Sequence, residues 1–254
     1  MRNEVATKTK NGFGLSANAL KFIAIAAMLI DHIAWRFVET NSTEGFFMHL
    51  IGRMTIPIMS MFIAEGYVHT KNIQKYLFRL ALFAVISQGP FCYFKTGRIL
   101  NSSVKLNVIF SLLFALIALY VYDTDKIQST LYKFVIILAL CIVSSKADWS
   151  FAPILWALSM FTFRKSDKVR KMFVFFITTL LVFAYFIGNS FLIGKDIKLA
   201  YVSQSYMLGM FLAVVPITFY SGKRGSKNKF CKWFFYIFYP AHLLLIGILA
   251  YNVF

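Results

Sequence analysis

Two ionisable residues, Asp31 and His32, interrupt an apolar run that extends from Phe22 to Trp35. A charged side chain near the middle of a membrane-spanning helix costs about 2.5–3.5 kcal/mol on insertion scales, so such residues usually mark substrate or proton pathways. An unperturbed imidazole titrates near neutral pH, which suits a general base. We therefore predict that the chemistry lies at this pair. The alternative is a hydrogen-bonded pair that holds two helices together.

Lys21 lies eleven residues before His32 on the same predicted helix. At about 100° per residue the two side chains return almost to one face, and at 1.5 Å per residue they lie about 16 Å apart. A cation at one end and a base deeper on the same stripe suit a long ligand with a phosphate-bearing head and a reactive tail. Taken alone, Lys21 is more typical of a lysine that extends to the lipid headgroups.

The second and third apolar segments and the loop between them carry four further candidates for substrate binding, Arg53, Glu65, His69 and Arg79. Glu65 and His69 are four residues apart, so they share a helix face. One such pair supplies only two metal ligands and the HExxH pattern is absent, so we predict no metal site. We expect Glu65 to pair with Arg53 or Arg79, or to take part in the site. His69 is also typical of a solvated helix end.

The last apolar segment carries His242 two residues after Pro240. The residues leave open whether His242 packs against other helices or binds substrate. Tyr239 is a further candidate for substrate binding, although a tyrosine here is also typical of an interfacial aromatic belt.

The composition defines the elements that must position these residues. The chain of 254 residues is 59% hydrophobic and only 15% charged, whereas soluble domains average about 45–50% and about 25%. We therefore predict an all-α, polytopic membrane helical bundle of about nine or ten transmembrane helices. Residues 1–15 would be a basic cytoplasmic tail and residues 16–254 a single transmembrane domain. The apolar segments lie at about 17–37, 49–68, 77–94, 106–122, 133–145, 150–163, 172–190, 200–220 and 233–253.

The net charge of +17 does not indicate nucleic-acid binding, because the lysines and arginines cluster in short loops between apolar segments. Their excess in alternate loops places the amino terminus and the basic loops Arg164–Lys171 and Lys223–Lys232 in the cytoplasm. The three cysteines are scattered along the chain, which argues against a disulfide framework or a zinc site.

Three stretches of sequence resemble the TraX family. They are Leu20–Ile33, with the pattern LKxIAxxxMxIDHI, Gly52–Phe91, which includes EGYxHT and KYLxRL, and Phe234–Leu243, with the pattern FFYxFYPxHL. The best-known member of this family acetylates the amino terminus of conjugative F-pilin. The family is similar in turn to the wider transmembrane acyltransferases, which carry a basic residue and a histidine on their first helix. Lys21 and His32 match that pattern, with Lys where many relatives have Arg.

The resemblance implies an acetyltransferase in a bacterial inner membrane. Acetyl-CoA would be the co-substrate and would bind from the cytoplasm, with Lys21, and less strongly Arg53 or Arg79, neutralising its phosphates. The acetyl group would pass to an amine or hydroxyl of an acceptor protein or glycan at the cell surface, with membrane lipid as the surrounding partner. Two other functions stay open: a secondary transporter or flippase with Asp31 and Glu65 as proton sites, and a non-catalytic partner in envelope or pilus assembly.

Overall fold

The computed structural model describes residues 14–192, 204–226 and 229–253, with side chains of the last range described from residue 233. Most of the basic tail predicted over residues 1–15 lies outside these ranges. Within them the chain forms helices and no β-strand, which confirms the all-α prediction. The elements are α1 (Ala17–Phe37), α2 (Thr43–Gly52), α3 (Thr55–His69), α4 (Ile73–Thr96), α5 (Val108–Asp123), α6 (Thr130–Ser144), α7 (Ala152–Thr162), α8 (Lys168–Leu192), a 3-10 helix (Ser205–Ala213), α9 (Val214–Thr218) and α10 (Lys229–Asn252).

Five helical segments in the described ranges are long and apolar enough to cross a membrane, and the protein is a membrane protein. A span needs about 20 residues. The five are α1, the nearly continuous run of α2 and α3 over Thr43–His69, α4, α8, and the part of α10 over Trp233–Asn252. Four other apolar segments are helical but shorter: α5, α6, α7 and the stretch Ser205–Thr218. The described structure therefore confirms the prediction of a polytopic helical bundle. It contains five helical segments long enough to span a membrane, fewer than the nine or ten that we predicted.

Local sequence signals explain where several helices begin. Five helices start after a Ser or Asn whose side chain accepts a hydrogen bond from a backbone N–H group of the first turn. These capping residues are Ser16 for α1, Ser42 for α2, Asn72 for α4, Asn107 for α5 and Ser129 for α6. Gly97 ends α4 in the left-handed region, with φ 70°, where a residue without a Cβ has no steric penalty. Such caps satisfy backbone groups that lipid cannot hydrogen-bond.

Helices α1, α4 and α10 run in the same direction, and the α2–α3 run is antiparallel to them. Near the start of α1, the Lys21 ammonium lies over the Phe235 ring of α10, and near its end Arg36 donates to the Tyr251 hydroxyl. Thr55 of α3 donates to the Ala24 carbonyl near the middle of α1. Phe94, close to the end of α4, packs edge-on against His32. Because α1 and α10 are parallel and in register, His32 of α1 and His242 of α10 lie at the same level along the two helices.

Two further contacts determine the surroundings of α1. Gly52 lies so close to the Asp31 side chain that a Cβ at this position would collide with it, so α2 packs directly on α1. The segment 220–226 crosses the start of α1, where the backbone N–H groups of Ala17 and Asn18 donate to the carbonyls of Lys223 and Arg224. The second contact brings a basic loop, distant in sequence, next to Lys21.

Candidate functional site

A cavity of about 610 Å³ lies between α1, α3, α4, α10 and the start of α5. Lys21, Ile25 and Met28 line it from α1, at spacings of four and three residues that define one helix face. His32, four residues after Met28, continues the same stripe beyond the residues that line the cavity. The sequence predicted that Lys21 and His32 share one face of α1. In the structure the cavity follows this face from Lys21 to Met28, one turn before His32.

One end of the cavity, here called the mouth, is polar and opens to solvent. It is lined by Lys21, Glu65, His69, Arg79 and Arg224. The His69 side chain is 68% exposed and its Nδ1 lies 3.7 Å from a Glu65 carboxylate oxygen. Two arginines and one lysine face one carboxylate here, so the mouth is suited to an anionic ligand.

The Lys21 ammonium lies 4.8 Å from the Phe62 ring centroid and 5.4 Å from that of Phe235. Among the described residues it makes no salt bridge within 4.0 Å, and Glu65 and Arg224 line the same cavity. Cation–π contacts hold such an ammonium in position but leave its three donors available. Lys21 can therefore donate to a phosphate in the cavity.

Glu65 has different partners from the arginines that we expected. Its carboxylate accepts a hydrogen bond of 3.1 Å from the Tyr220 hydroxyl, and no ion pair joins it to Arg53 or Arg79 in the part of the chain that the structure describes. Burial, together with the negative charge of Glu65, raises the pKa of Tyr220, so this hydroxyl stays protonated and continues to donate.

Tyr239 lies at the inner end of the cavity, next to two histidines. It is 5% exposed and lines the cavity. Its ring centroid is 6.5 Å from that of His32 and 5.7 Å from that of His242. Tyr239 is therefore next to both the cavity and the two histidines.

His32 and His242 form a direct pair between α1 and α10. His32 Nδ1 and His242 Nε2 are 2.7 Å apart, and the ring planes differ by only 24° with centroids 5.0 Å apart, so the two imidazoles lie side by side. His242 is 5% exposed. The two residues are 210 positions apart in sequence, so only the packing of the helices brings them together.

Asp31 belongs to a separate network that faces α2. Its carboxylate accepts hydrogen bonds from Arg53 Nη2 at 2.8 and 3.0 Å, from His49 Nδ1 at 2.8 Å and from Trp35 Nε1 at 3.2 Å. The Arg53 guanidinium also lies within 5.2–5.7 Å of three ring centroids, those of Trp35, Trp149 and Tyr206. Both carboxylate oxygens are occupied and the negative charge is paired, which removes most of the cost of burying it.

The candidate residues therefore fall into three groups. Lys21, Glu65, His69 and Arg79 gather at the mouth, Tyr239 and His242 lie with His32 at the inner end, and Asp31 and Arg53 form their own network. The sequence interpretation missed several participants, among them His49, Tyr220 and Arg224. His49 is fully buried, and its spacing of four residues from Arg53 on one helix face was the signal that could have found it. In the sequence, Arg224 is marked only as one cation of a basic loop.

Comparison with known proteins agrees with the motifs. The family described as "TraX protein" matches residues 16–250. The chain is also similar to "Probable fimbrial assembly protein FimC, serogroup H1" from Dichelobacter nodosus, with 32% identity over 244 residues that cover 91% of this chain and 94% of that protein. No solved structure matches the chain significantly. The chain therefore belongs to the TraX family, as its three motifs predicted.

Proposed function

We propose that this protein is an integral membrane acetyltransferase. It transfers an acetyl group from cytoplasmic acetyl-CoA to an amine or hydroxyl of an acceptor protein or glycan on the other side of the membrane. The observation that carries the proposal is the cavity, which has a cationic mouth at Lys21, Arg79 and Arg224 and an inner end beside the His32–His242 pair.

The cavity suits a donor that is charged at one end and reactive at the other. Arg79 Nε is buried without a hydrogen-bond partner, so Arg79 has donor capacity for a phosphate, as Lys21 has. Arg forms bidentate contacts with phosphate, and Lys acts as a point charge. The apolar walls at Ile25, Met28 and Leu112 surround the neutral arm of the donor. About 16 Å along α1 separate the phosphate end from His32.

The proposed reaction is a direct transfer in which His32 is the general base. The acceptor nitrogen or oxygen attacks the thioester carbonyl and gives its proton to His32 Nε2. The C–S bond then breaks, and the leaving thiolate takes that proton from His32 to give free CoA. The Tyr239 hydroxyl donates to the carbonyl oxygen as negative charge develops on it. Asp31 positions α1 through Arg53 and His49 and takes no part in proton transfer.

The relatives support a pilus-associated acceptor. The best-known TraX protein acts on a pilin amino terminus, and the relative from Dichelobacter nodosus is described as a fimbrial assembly protein. The basic loops support an inner-membrane protein whose amino terminus and cavity mouth face the cytoplasm, where acetyl-CoA is made. A pilus subunit at the outer face of that membrane is therefore the first acceptor to test.

The proposal predicts that His32→Ala abolishes acetyl transfer. Purified protein reconstituted in lipid vesicles would be supplied with radiolabelled acetyl-CoA and pilin peptides, and both acetylated peptide and released CoA would be measured. We expect a loss of at least about 10²-fold, the lower limit of a general base contribution. Tyr132→Ala is the control, because this side chain is 64% exposed on α6, away from the cavity. Full activity of His32→Ala would overturn the proposal.

The same assay separates the two other functions. A secondary transporter or flippase would move its substrate without releasing CoA. A non-catalytic assembly partner would keep its pilus-assembly complexes after His32→Ala and release no CoA in either form.

A further inference from the structure

A chain of three hydrogen-bonding groups leads from the backbone of α10 to His32. His242 Nδ1 lies 2.7 Å from the Phe238 carbonyl oxygen, one turn earlier in α10. His242 Nε2 lies 2.7 Å from His32 Nδ1. The Phe238 ring stacks on the His242 ring at 4.8 Å with an interplanar angle of 15°, which holds that imidazole in this orientation.

The chemistry of the three groups determines where the protons are. A carbonyl oxygen only accepts, so His242 Nδ1 must carry the hydrogen that lies between it and Phe238. A neutral imidazole has one N–H, so His242 Nε2 is an acceptor. The hydrogen in the second contact must then belong to His32 Nδ1. This leaves the lone pair of His32 on Nε2.

We propose that His242 is a positioning residue that fixes His32 in the Nδ1–H tautomer, with Nε2 free to accept a proton. This inference rests on the proposed function, in which His32 Nε2 takes the proton of the acceptor. In the opposite tautomer Nε2 carries a hydrogen and cannot act as a base. His242 performs the orienting role that a carboxylate performs in a Ser-His-Asp triad, but it does so as a neutral acceptor.

The proposed proton path is consistent with this arrangement. When His32 Nε2 takes the acceptor proton, its Nδ1–H becomes a donor on a cation, and its hydrogen bond to His242 Nε2 strengthens. The proton then leaves from Nε2 to the CoA thiolate, and the pair returns to its starting tautomers. Asp31 does not orient His32, because its carboxylate accepts hydrogen bonds from Arg53, His49 and Trp35 instead.

Two substitutions of His242 distinguish a role in orienting His32 from a role in helix packing alone. His242→Leu removes the acceptor at similar size, and His242→Gln keeps an amide oxygen near the position of Nε2. We expect His242→Leu to lower kcat about 10–100-fold, as loss of an orienting hydrogen bond does in metal sites, with KM for acetyl-CoA within about twofold. His242→Gln should recover most of kcat. Equal losses in both variants, or wild-type kcat in His242→Leu, would overturn the proposal.

A spectroscopic measurement tests the tautomer without any turnover. With ¹⁵N-labelled histidine, the ring nitrogen shifts of His32 should show a protonated Nδ1 in the wild type and in His242→Gln. In His242→Leu the His32 signal should move towards a mixture of tautomers. A wild-type His32 with its hydrogen on Nε2 would overturn the inference. Because no acetyl-CoA is needed, this result stands even if the protein proves to have no acetyltransferase activity.

Discussion

The neighbouring residues Asp31 and His32 have separate partners, because successive side chains of a helix point about 100° apart. Asp31 faces α2 and accepts from Arg53 and His49, while His32 faces α10 and pairs with His242. The carboxylate thus stabilises the contact between α1 and α2, and the imidazole joins α1 to α10 beside Tyr239, which lines the cavity. Their adjacency in sequence predicted chemistry at the pair, whereas in the structure each residue belongs to a different helix contact.

At this scale we predict that Asp31→Asn destabilises the protein. The substitution leaves the buried Arg53 guanidinium without its counter-charge, and breaking a buried pair in this way costs about 3–5 kcal/mol. Unfolding in detergent, followed by circular dichroism, measures the change. Asp125→Asn, in an exposed loop, is the matched control and should leave the free energy of unfolding unchanged.

A second variant sharpens this test. Adding Arg53→Met to Asp31→Asn removes the unpaired cation, so the double variant should recover part of the lost stability. If Asp31→Asn instead unfolded like the wild type but lost acetyl transfer, the carboxylate would have a direct role in the chemistry.

At the scale of elements, the contact between α1 and α2 determines where the Asp31 network can form. The nearly continuous α2–α3 run packs antiparallel to α1, and Gly52, at the end of α2, allows the two helices to approach at the depth of Asp31. This close approach brings His49 and Arg53 within hydrogen-bonding distance of one carboxylate. A larger residue at position 52 would separate the helices.

We therefore predict that Gly52→Ala lowers the free energy of unfolding by about 1–3 kcal/mol, the usual cost of overpacking. The added Cβ would meet the Asp31 side chain. Gly188→Ala in α8 is the control, because no atom lies within 4 Å of the Cβ that it adds, and alanine favours a helix more than glycine does. Equal stability of Gly52→Ala and the wild type would contradict the helix contact described above.

At the scale of the whole molecule, the cavity joins groups that are far apart in sequence. Its mouth combines Lys21 of α1, Arg79 of α4 and Arg224 of the segment that crosses the start of α1. Its inner end combines Tyr239 of α10 with the first residues of α5. This distribution of charge supports the proposed anionic, phosphate-bearing donor.

The corresponding prediction concerns Lys21→Met. A hydrogen bond to a charged group contributes about 1.5–3 kcal/mol, so we expect KM for acetyl-CoA to rise about 10–100-fold while kcat changes little. Lys21→Arg should stay near the wild type, and Lys126→Met, in an exposed loop, is the control for charge alone. Steady-state kinetics in vesicles at two salt concentrations measure these effects. An unchanged KM in Lys21→Met would mean that the phosphates bind elsewhere.

The sequence by itself determined the class of the protein, its apolar segments, its family and the stripe of Lys21 and His32 on α1. These depend on composition and on helical periodicity, which are local properties of the chain. The lengths of the helices were less predictable, because hydropathy marks apolar segments but not where capping and packing end them.

Only the tertiary structure decided which residues the candidates meet. The pairing of His32 with His242 joins residues 210 positions apart, and the loop that carries Arg224 reaches Lys21 by crossing α1. His49 entered the Asp31 network because Gly52 allows α2 close to α1. No local pattern specifies such contacts, since they depend on which helices pack together, in which direction and at what depth. That is why the sequence placed Asp31 and His32 on different sides of α1 but did not identify the partners of either residue.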